Sequence, residues 1–198
     1  MTTYPVLLVH GIFDTGARFS KMQAALHARG FNPVRAMNIV PSDASISMEA
    51  MAGQIQAEVR ALLQSIGAEK VDIVAFSMGS LAVRYFLQRL AGRTVVRRFI
   101  SLAGPHHGTL TAYLGRGAGS RQMRPKSEFL RELNAEADPW GDVEMFSFWS
   151  PYDRTVIPPS SSILPQAQNR AFSVLLHPWM VSDRQVIDAV TDALQSPR

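Results

Sequence analysis

The chain has 198 residues, of which 46% are hydrophobic and 18% are charged, an ordinary globular balance that argues against disorder. Cysteine is absent, which excludes a disulfide scaffold, a thiol nucleophile and thiolate metal ligands. The net charge is +4, but the basic residues form no run and no aromatic-basic pattern, so nucleic-acid binding is not expected. The length suits a single domain over residues 1–198.

The first part of the chain alternates short apolar runs with amphipathic stretches. In chain order the patterns predict a strand at Val6–Val9, a helix at about Arg18–Arg29, a strand at Val34–Val40 and a helix at Met48–Ile66. The last of these has apolar residues at steps of three and four. Ser47 can cap its start and Gly67 can end it.

The rest of the chain continues the alternation. The patterns predict a strand at Val71–Phe76, a helix at about Met78–Ala91, strands at Val95–Ala103, Glu144–Trp149 and Arg170–Leu176, and a final helix that opens at Ser182-Asp183-Arg184-Gln185. This order predicts an α/β fold, in which a mostly parallel sheet of about six strands carries helices on both faces. Functional residues are then expected at the C-terminal ends of the strands.

The strongest functional motif is Ala75-Phe76-Ser77-Met78-Gly79, between a predicted strand and a predicted helix. A serine on a sharp strand-to-helix turn points its hydroxyl out over the sheet, where a base can reach it. The small residues Ala75 and Gly79 let the strand and the helix pack closely around the turn. Ser77 is therefore a candidate nucleophile, and the alternative is that it only caps the helix.

A second motif, His10-Gly11-Ile12-Phe13, directly follows the first strand. Acyl transfer needs two preorganised amide donors for the oxyanion of the tetrahedral intermediate. The N–H of Met78, at the start of the helix after Ser77, is one candidate. The N–H of Ile12 is the other, because Gly11 allows that loop to turn towards the site.

A serine nucleophile also needs a base and an acid. His10, His106 and His107 all lie at strand ends, and His177 follows the last predicted strand. The order serine, acid, histidine is typical of elbow-type hydrolases and favours His177 as the base. Asp153, just past the Glu144–Trp149 strand, is the best placed acid.

The chain resembles the α/β-hydrolases, and in particular the small bacterial lipases and esterases of the lipase class 2 group. The motifs that carry the resemblance are Val9-His10-Gly11-Ile12, Ala75-Phe76-Ser77-Met78-Gly79, Gly104-Pro105-His106-His107-Gly108-Thr109 and Leu176-His177-Pro178-Trp179-Met180. The resemblance implies a three-layer α/β-hydrolase fold and ester hydrolysis through Ser77, Asp153 and His177. It departs at Phe76, where many members carry histidine, and at Ser80, where many carry a second glycine.

The segment from Thr109 to Gly141 is longer than a minimal member of that group needs. Its glycines, between Gly115 and Gly119, are interpreted as a flexible loop or hinge, and an amphipathic helix follows. That helix could form part of the acyl pocket near the active site, or it could pack permanently on the sheet. Substrate contacts are expected from a set of apolar and aromatic residues: Phe13, Phe76, His106, Leu130 and Leu133.

The sequence thus predicts a serine carboxylester hydrolase, an esterase or lipase, that acts on small-molecule or lipid esters. An acyltransferase that uses the same triad and a non-catalytic protein that binds hydrophobic ligands are the alternatives. No metal-binding motif or cofactor is predicted, and no apolar run approaches the ~18 residues of a membrane span. No secretory signal is visible at the N-terminus, so a cytoplasmic protein is expected, with a processed secreted form as the alternative.

Overall fold

A six-stranded parallel sheet forms the centre of the computed structural model, which describes residues 4–196. The strands are β1 Val6–Val9, β2 Val34–Met37, β3 Val71–Phe76, β4 Val96–Leu102, β5 Glu144–Trp149 and β6 Gln168–Ala171. Their order across the sheet is β2-β1-β3-β4-β5-β6, and each neighbouring pair is parallel. All strands therefore end at the same edge, where the loops that carry the candidate residues meet.

Within residues 4–196, six α-helices connect or follow the strands. They are α1 Ser20–Ala28, α2 Met48–Ile66, α3 Met78–Arg89, α4 Ala118–Gln122, α5 Glu128–Asn134 and α6 Arg184–Gln195. The side chain of Ser47 accepts a hydrogen bond from the N–H of Ala50 at the start of α2, and Gly67 ends that helix with φ 66°. Both ends of the longest helix are thus encoded in the local sequence.

The helices cover the two faces of the sheet with two separate hydrophobic clusters. On one face, α2, α3 and α5 pack against the sheet through residues such as Met51, Phe86 and Leu133. On the other, α1 and α6 pack through residues such as Met22 and Val190. Burial of a sheet on both faces explains why the central strands are continuous apolar runs, as predicted. None of the described helices is long and apolar enough to cross a membrane.

The strand bounds agree with the sequence patterns in the sheet centre and differ at its edges. The structure gives the predicted bounds for Val6–Val9, Val71–Phe76 and Glu144–Trp149. The prediction of a strand at Arg170–Leu176 is wrong in position, because β6 is Gln168–Ala171 and all four of its residues are exposed. Phe172 and Val174, which suggested the strand, are buried in the loop that follows it.

Candidate active site

Ser77 lies between β3 and α3 in a strained backbone conformation. Its φ is 53° and its ψ is −124°, a region that non-glycine residues rarely adopt and that costs about 1–3 kcal/mol. Its N–H donates to the carbonyl of Leu102 on β4 at 2.8 Å. A Cβ on Gly79 would collide with the carbonyl oxygen of His10, so only glycine lets α3 approach β1 this closely. The geometry is that of a nucleophile elbow.

Asp153 and His177 reach Ser77 from two separate loops. Nε2 of His177 is 2.8 Å from Oγ of Ser77, and Nδ1 of His177 is 2.6 Å from Oδ2 of Asp153. Because the carboxylate only accepts, Nδ1 carries the proton and Nε2 is free to accept the serine proton. All three residues are buried. The structure therefore brings together the three residues that the sequence put forward.

The environment of Asp153 favours its ionised form. Burial acts to raise the pKa of this carboxyl, but hydrogen bonding and attraction to His177, with the N–H groups of Val156 and Thr155, outweigh burial. The pKa of Asp153 is consequently held below its usual value. The two N–H groups bind Oδ1 at 3.0 and 2.8 Å, which leaves Oδ2 for the histidine.

The two expected oxyanion donors lie beside Ser77. Met78 is the first residue of α3, so its N–H has no acceptor within the helix. A Cβ on Gly11 would lie 3.0 Å from Cβ of Ser77, which shows how closely the loop before Ile12 approaches the hydroxyl. Ile12 and Ser77 line the same cavity.

His10 has an orienting position that the sequence left undefined. Its Nε2 accepts from the N–H of Ile39 at 2.9 Å, so the proton must be on Nδ1, which is 2.8 Å from the carbonyl oxygen of Gly11. That carbonyl belongs to the same peptide plane as the N–H of Ile12. His10 thus fixes the orientation of a candidate oxyanion donor and is not available as a base.

A cavity of about 500 Å³ opens onto Ser77. Its apolar lining comes from the segments that follow β1, β4 and β5, including Met123 directly after α4: Ile12, Phe13, Pro105, Ala112, Leu114, Met123 and Val156. Polar groups from Thr109, Thr111, Ser120 and Thr155 line it as well, with Asp43 and Arg116. Of the expected substrate-contacting residues, only Phe13 lines this cavity.

The other expected contacts lie elsewhere. Phe76 is buried beneath the elbow, and its ring packs on the imidazole of His177. His106 is fully buried, and its Nε2 is 2.9 Å from Oγ of Ser101. Burial and the nearby Arg84 and His107 hold the pKa of His106 well below its usual range. Neither Phe76 nor His106 lines the cavity beside Ser77.

The helix α5 is part of the scaffold. Phe129, Leu130 and Leu133 are buried in the main hydrophobic cluster. Leu130 also borders a separate cavity of about 650 Å³ that does not contain Ser77. Neither Leu130 nor Leu133 lines the cavity beside Ser77, and both pack in the hydrophobic cluster that also contains residues of α3.

Hydrogen bonds from α3 also hold the end of α5 in position. The buried guanidinium of Arg84, on α3, donates to the carbonyl of Leu133 and to Oδ1 of Asn134 at 3.0 and 2.8 Å. Burial lowers the pKa of Arg84 to about 10, so it remains a cation at neutral pH.

The glycine-rich stretch before α5 is closely packed. A Cβ on Gly117 would overlap the carbonyl of Ala44, and the N–H of Gly119 donates to the carbonyls of Ala44 and Ile46 at 3.1 and 3.0 Å. The glycines therefore permit close backbone approach to the 44–46 loop. The stretch from Gly115 to Gly117 is a loop, as one of the two alternatives expected, and Gly119 lies in α4.

Comparison with known proteins identifies a family that matches more than half of this chain. The model of the palmitoyl protein thioesterase family matches residues 5–123, a segment that contains the elbow and the Ile12 loop. A triacylglycerol lipase of Pseudomonas fragi is 29% identical to this chain over 113 residues. A triacylglycerol lipase of Vibrio cholerae is 32% identical to it over 121 residues. These matches cover 54% and 59% of this chain but only 36% and 37% of the two lipases. The chain thus spans little more than a third of the aligned lipases.

Solved structures match over nearly the whole chain. The mature lipase BlEst2 of Bacillus licheniformis has a TM-score of 0.85 at 16% identity, and covers 97% of this chain and 92% of its own. Lipase B of Aspergillus fumigatus has a TM-score of 0.82 at 18% identity, over 98% of this chain and 53% of its own. The chain has the three-layer α/β-hydrolase fold, as expected.

Proposed function

Because this chain belongs to the palmitoyl protein thioesterase family, we propose that it is a serine hydrolase that cleaves carboxylic esters through an acyl-enzyme on Ser77. The observation that carries the proposal is the continuous hydrogen-bonded path from Ser77 through His177 to Asp153, with N···O distances of 2.8 and 2.6 Å. The order serine, acid, histidine along the chain is that of elbow-type hydrolases.

In the first half-reaction the hydroxyl of Ser77 attacks the ester carbonyl and Nε2 of His177 takes its proton. Asp153 holds the imidazole in the tautomer that can accept this proton and then stabilises the imidazolium. The N–H groups of Ile12 and Met78 stabilise the oxyanion. The imidazolium returns the proton to the leaving alkoxide, which departs as an alcohol. Water then repeats the sequence on the acyl-enzyme and releases the acid.

The cavity beside Ser77 supports an apolar acyl group as the substrate. Most of its lining surface is apolar, and exposed Phe13 and Leu114 stand at its mouth. A pocket of this size and character is typical of sites that bury most of a small apolar ligand. Small-molecule or lipid esters are therefore the proposed substrate class, in line with the lipase names of the aligned proteins.

Ser77→Ala tests the proposal. Loss of the nucleophile should lower the hydrolysis of p-nitrophenyl esters by at least about 10⁴-fold and abolish labelling by a fluorophosphonate probe, while the melting temperature changes little. Ser120→Ala is the matched control, because Ser120 lines the same cavity without a histidine partner in the described hydrogen bonds. It should keep its labelling, because the nucleophile is intact, and it should lose far less turnover than Ser77→Ala. A pure Ser77→Ala protein with more than a few per cent of wild-type activity would disprove the assignment.

The three residues should also behave as one unit. The double variant Ser77→Ala/His177→Ala should be about as inactive as Ser77→Ala alone, since the losses within a triad do not add. An active His177→Ala protein would instead move the base to another histidine.

Two related reactions use the same acyl-enzyme. The family match favours thioesters as a second substrate class, because a thiolate can leave where an alkoxide leaves. Rates for an ester and a thioester of one acyl chain measure this preference. Transfer to an alcohol in place of water would indicate an acyltransferase, and the product ratio with added alcohol measures it.

A further inference from the structure

Phe76 is the last residue of β3 and directly precedes Ser77. Its side chain is buried and turns away from the substrate cavity. The centroid of its ring lies 4.7 Å from the centroid of the His177 imidazole, and the two planes are inclined by 36°. This distance and tilt are those of an offset aromatic pair in contact.

The same phenyl ring also lies close to the loop that contains Gly11 and Ile12. A Cβ on Gly11 would lie 3.2 Å from Cδ1 and 3.4 Å from Cε1 of Phe76. One side chain thus touches the base and the backbone that precedes the Ile12 donor. Phe76 itself does not line the substrate cavity, so an effect of this side chain on turnover must be indirect, through its neighbours.

The hydrogen bonds of His177 do not prevent its imidazole ring from tilting, and the phenyl ring of Phe76 restricts that tilt. Asp153 and Ser77 both bind the imidazole at its edge, through Nδ1 and Nε2. Edge contacts at opposite nitrogens define an axis about which the ring can still tilt. The phenyl ring packs on the face of the imidazole and opposes that tilt, which keeps Nε2 aligned with the serine hydroxyl.

Charge gives the contact a second effect. When His177 takes the serine proton it becomes an imidazolium, and a cation within about 6 Å of an aromatic centroid is attracted to the negative face of that ring. The neutral imidazole gains less from the same contact. The interaction is therefore stronger in the transition state than in the ground state, which is the condition for raising kcat.

We propose that Phe76 is a positioning residue that holds the His177 imidazole by its face and stabilises the imidazolium formed during acyl transfer. This inference rests on the proposed function, because it assigns Phe76 a role through the base of that reaction. It predicts an effect on kcat with little effect on KM, since Phe76 does not line the cavity that binds the acyl chain.

Two replacements separate packing from charge. Phe76→Leu removes the ring, and we expect kcat for a p-nitrophenyl ester to fall about tenfold with KM within about twofold. Replacement of Phe76 by 3,4,5-trifluorophenylalanine keeps the ring shape but removes most of the negative charge on its face. We expect that variant to keep its melting temperature and to lose about three- to fivefold in kcat.

The matched control is Phe146→Leu. Phe146 belongs to the same hydrophobic cluster as Phe76 and is similarly buried, but its aromatic contact is with Phe148. It should lose stability as Phe76→Leu does and keep its kcat. The inference is overturned if the trifluorinated protein matches wild-type kcat, or if the two leucine variants lose kcat in equal measure.

Labelling distinguishes this failure from failure of the proposed function. A fluorophosphonate should modify Ser77 in the wild-type protein, as peptide mapping would show. Modification with normal kcat in both Phe76 variants would overturn only the role of Phe76. No modification and no ester turnover in the wild type would overturn the proposed function and the inference that rests on it.

Discussion

At the scale of single residues, the site depends on a strained backbone conformation and on a buried charge, each of which its neighbours stabilise. The positive φ of Ser77 is maintained by its N–H bond to Leu102 and by the close approach of Gly79 to β1. Asp153 is an ionised group in a buried position, and it is stabilised there by His177 and by two backbone N–H groups. These features concentrate at the strand ends where the cavity opens.

Asp153→Asn should lower kcat/KM by about 10⁴-fold, because an amide neither selects the required tautomer of His177 nor stabilises the imidazolium. Steady-state hydrolysis of a p-nitrophenyl ester measures this loss. Asp142→Asn is the control, since Asp142 precedes β5 at the opposite end of the strand. Equal losses in the two variants would contradict the role of Asp153.

The free energy of unfolding at acid pH should also depend on the carboxyl group of Asp153. Since folding lowers the pKa of Asp153, the ionised group stabilises the fold above the pKa of this carboxyl in the unfolded chain, near 3.8. That contribution is lost as the pH falls from about this value through the lower folded pKa. The free energy of unfolding should therefore decline more steeply below pH ~4 in the wild type than in Asp153→Asn. Urea titrations across this range measure both slopes, and parallel curves would refute the assignment.

At the scale of elements, the 109–141 segment divides into a cavity wall and a scaffold helix. The 3₁₀ turn at Leu110–Leu114 and Met123, directly after α4, line the cavity. The helix α5 instead packs its apolar face in the core and is bound by Arg84. The two parts should respond differently to truncation of a buried side chain.

Leu133→Ala should lower the free energy of unfolding by about 2–5 kcal/mol and leave the preference for acyl chain length unchanged. Met123→Ala is the matched variant, because Met123 is also buried but borders the cavity. It should shift the ratio of rates towards longer p-nitrophenyl esters. A changed ratio of these rates in Leu133→Ala would show that α5 contributes to the acyl pocket.

At the scale of the whole molecule, a buried and a partly buried arginine connect the last helix to the sheet. Arg98 on β4 is fully buried and donates to the carbonyls of Leu194 and Ser196, at the end of α6, at 2.7 and 2.6 Å. It also binds the carboxylate of Glu144 on β5 at 3.0 Å. Its neighbour Arg97 pairs with buried Asp72 on β3. The side chain of Arg98 thus connects β4 to β5 and to the end of α6.

Arg98→Ala should cost about 3–5 kcal/mol of unfolding free energy, because the carbonyl of Ser196 and the partly buried carboxylate of Glu144 lose a donor and the carbonyl of Leu194 keeps only Arg97. Arg184→Ala is the control, since Arg184 is exposed and lies 3.8 Å from Asp188, a pair worth at most about 1 kcal/mol. Urea unfolding curves compare the two variants. A loss below 1 kcal/mol in Arg98→Ala would show that α6 docks through its apolar face alone.

The sequence by itself determined the central strands, the long helix and the residues now in hydrogen-bond contact. Val71–Phe76 is a fully buried strand and Met48–Ile66 carries its own cap, so local patterns were sufficient. Ser77, Asp153 and His177 could be selected because parallel strands end at one edge of a sheet and the serine, acid and histidine follow a known order.

Only the tertiary structure decided which side chains form the cavity and which support it. An apolar residue such as Leu133 has the same pattern whether it faces a core or a substrate, and the partner is set by contacts distant in sequence. The polar strand Gln168–Ala171 lacks an apolar signal because it is an exposed edge strand. The contact of Phe76 with His177 joins residues about a hundred positions apart, which no local pattern records.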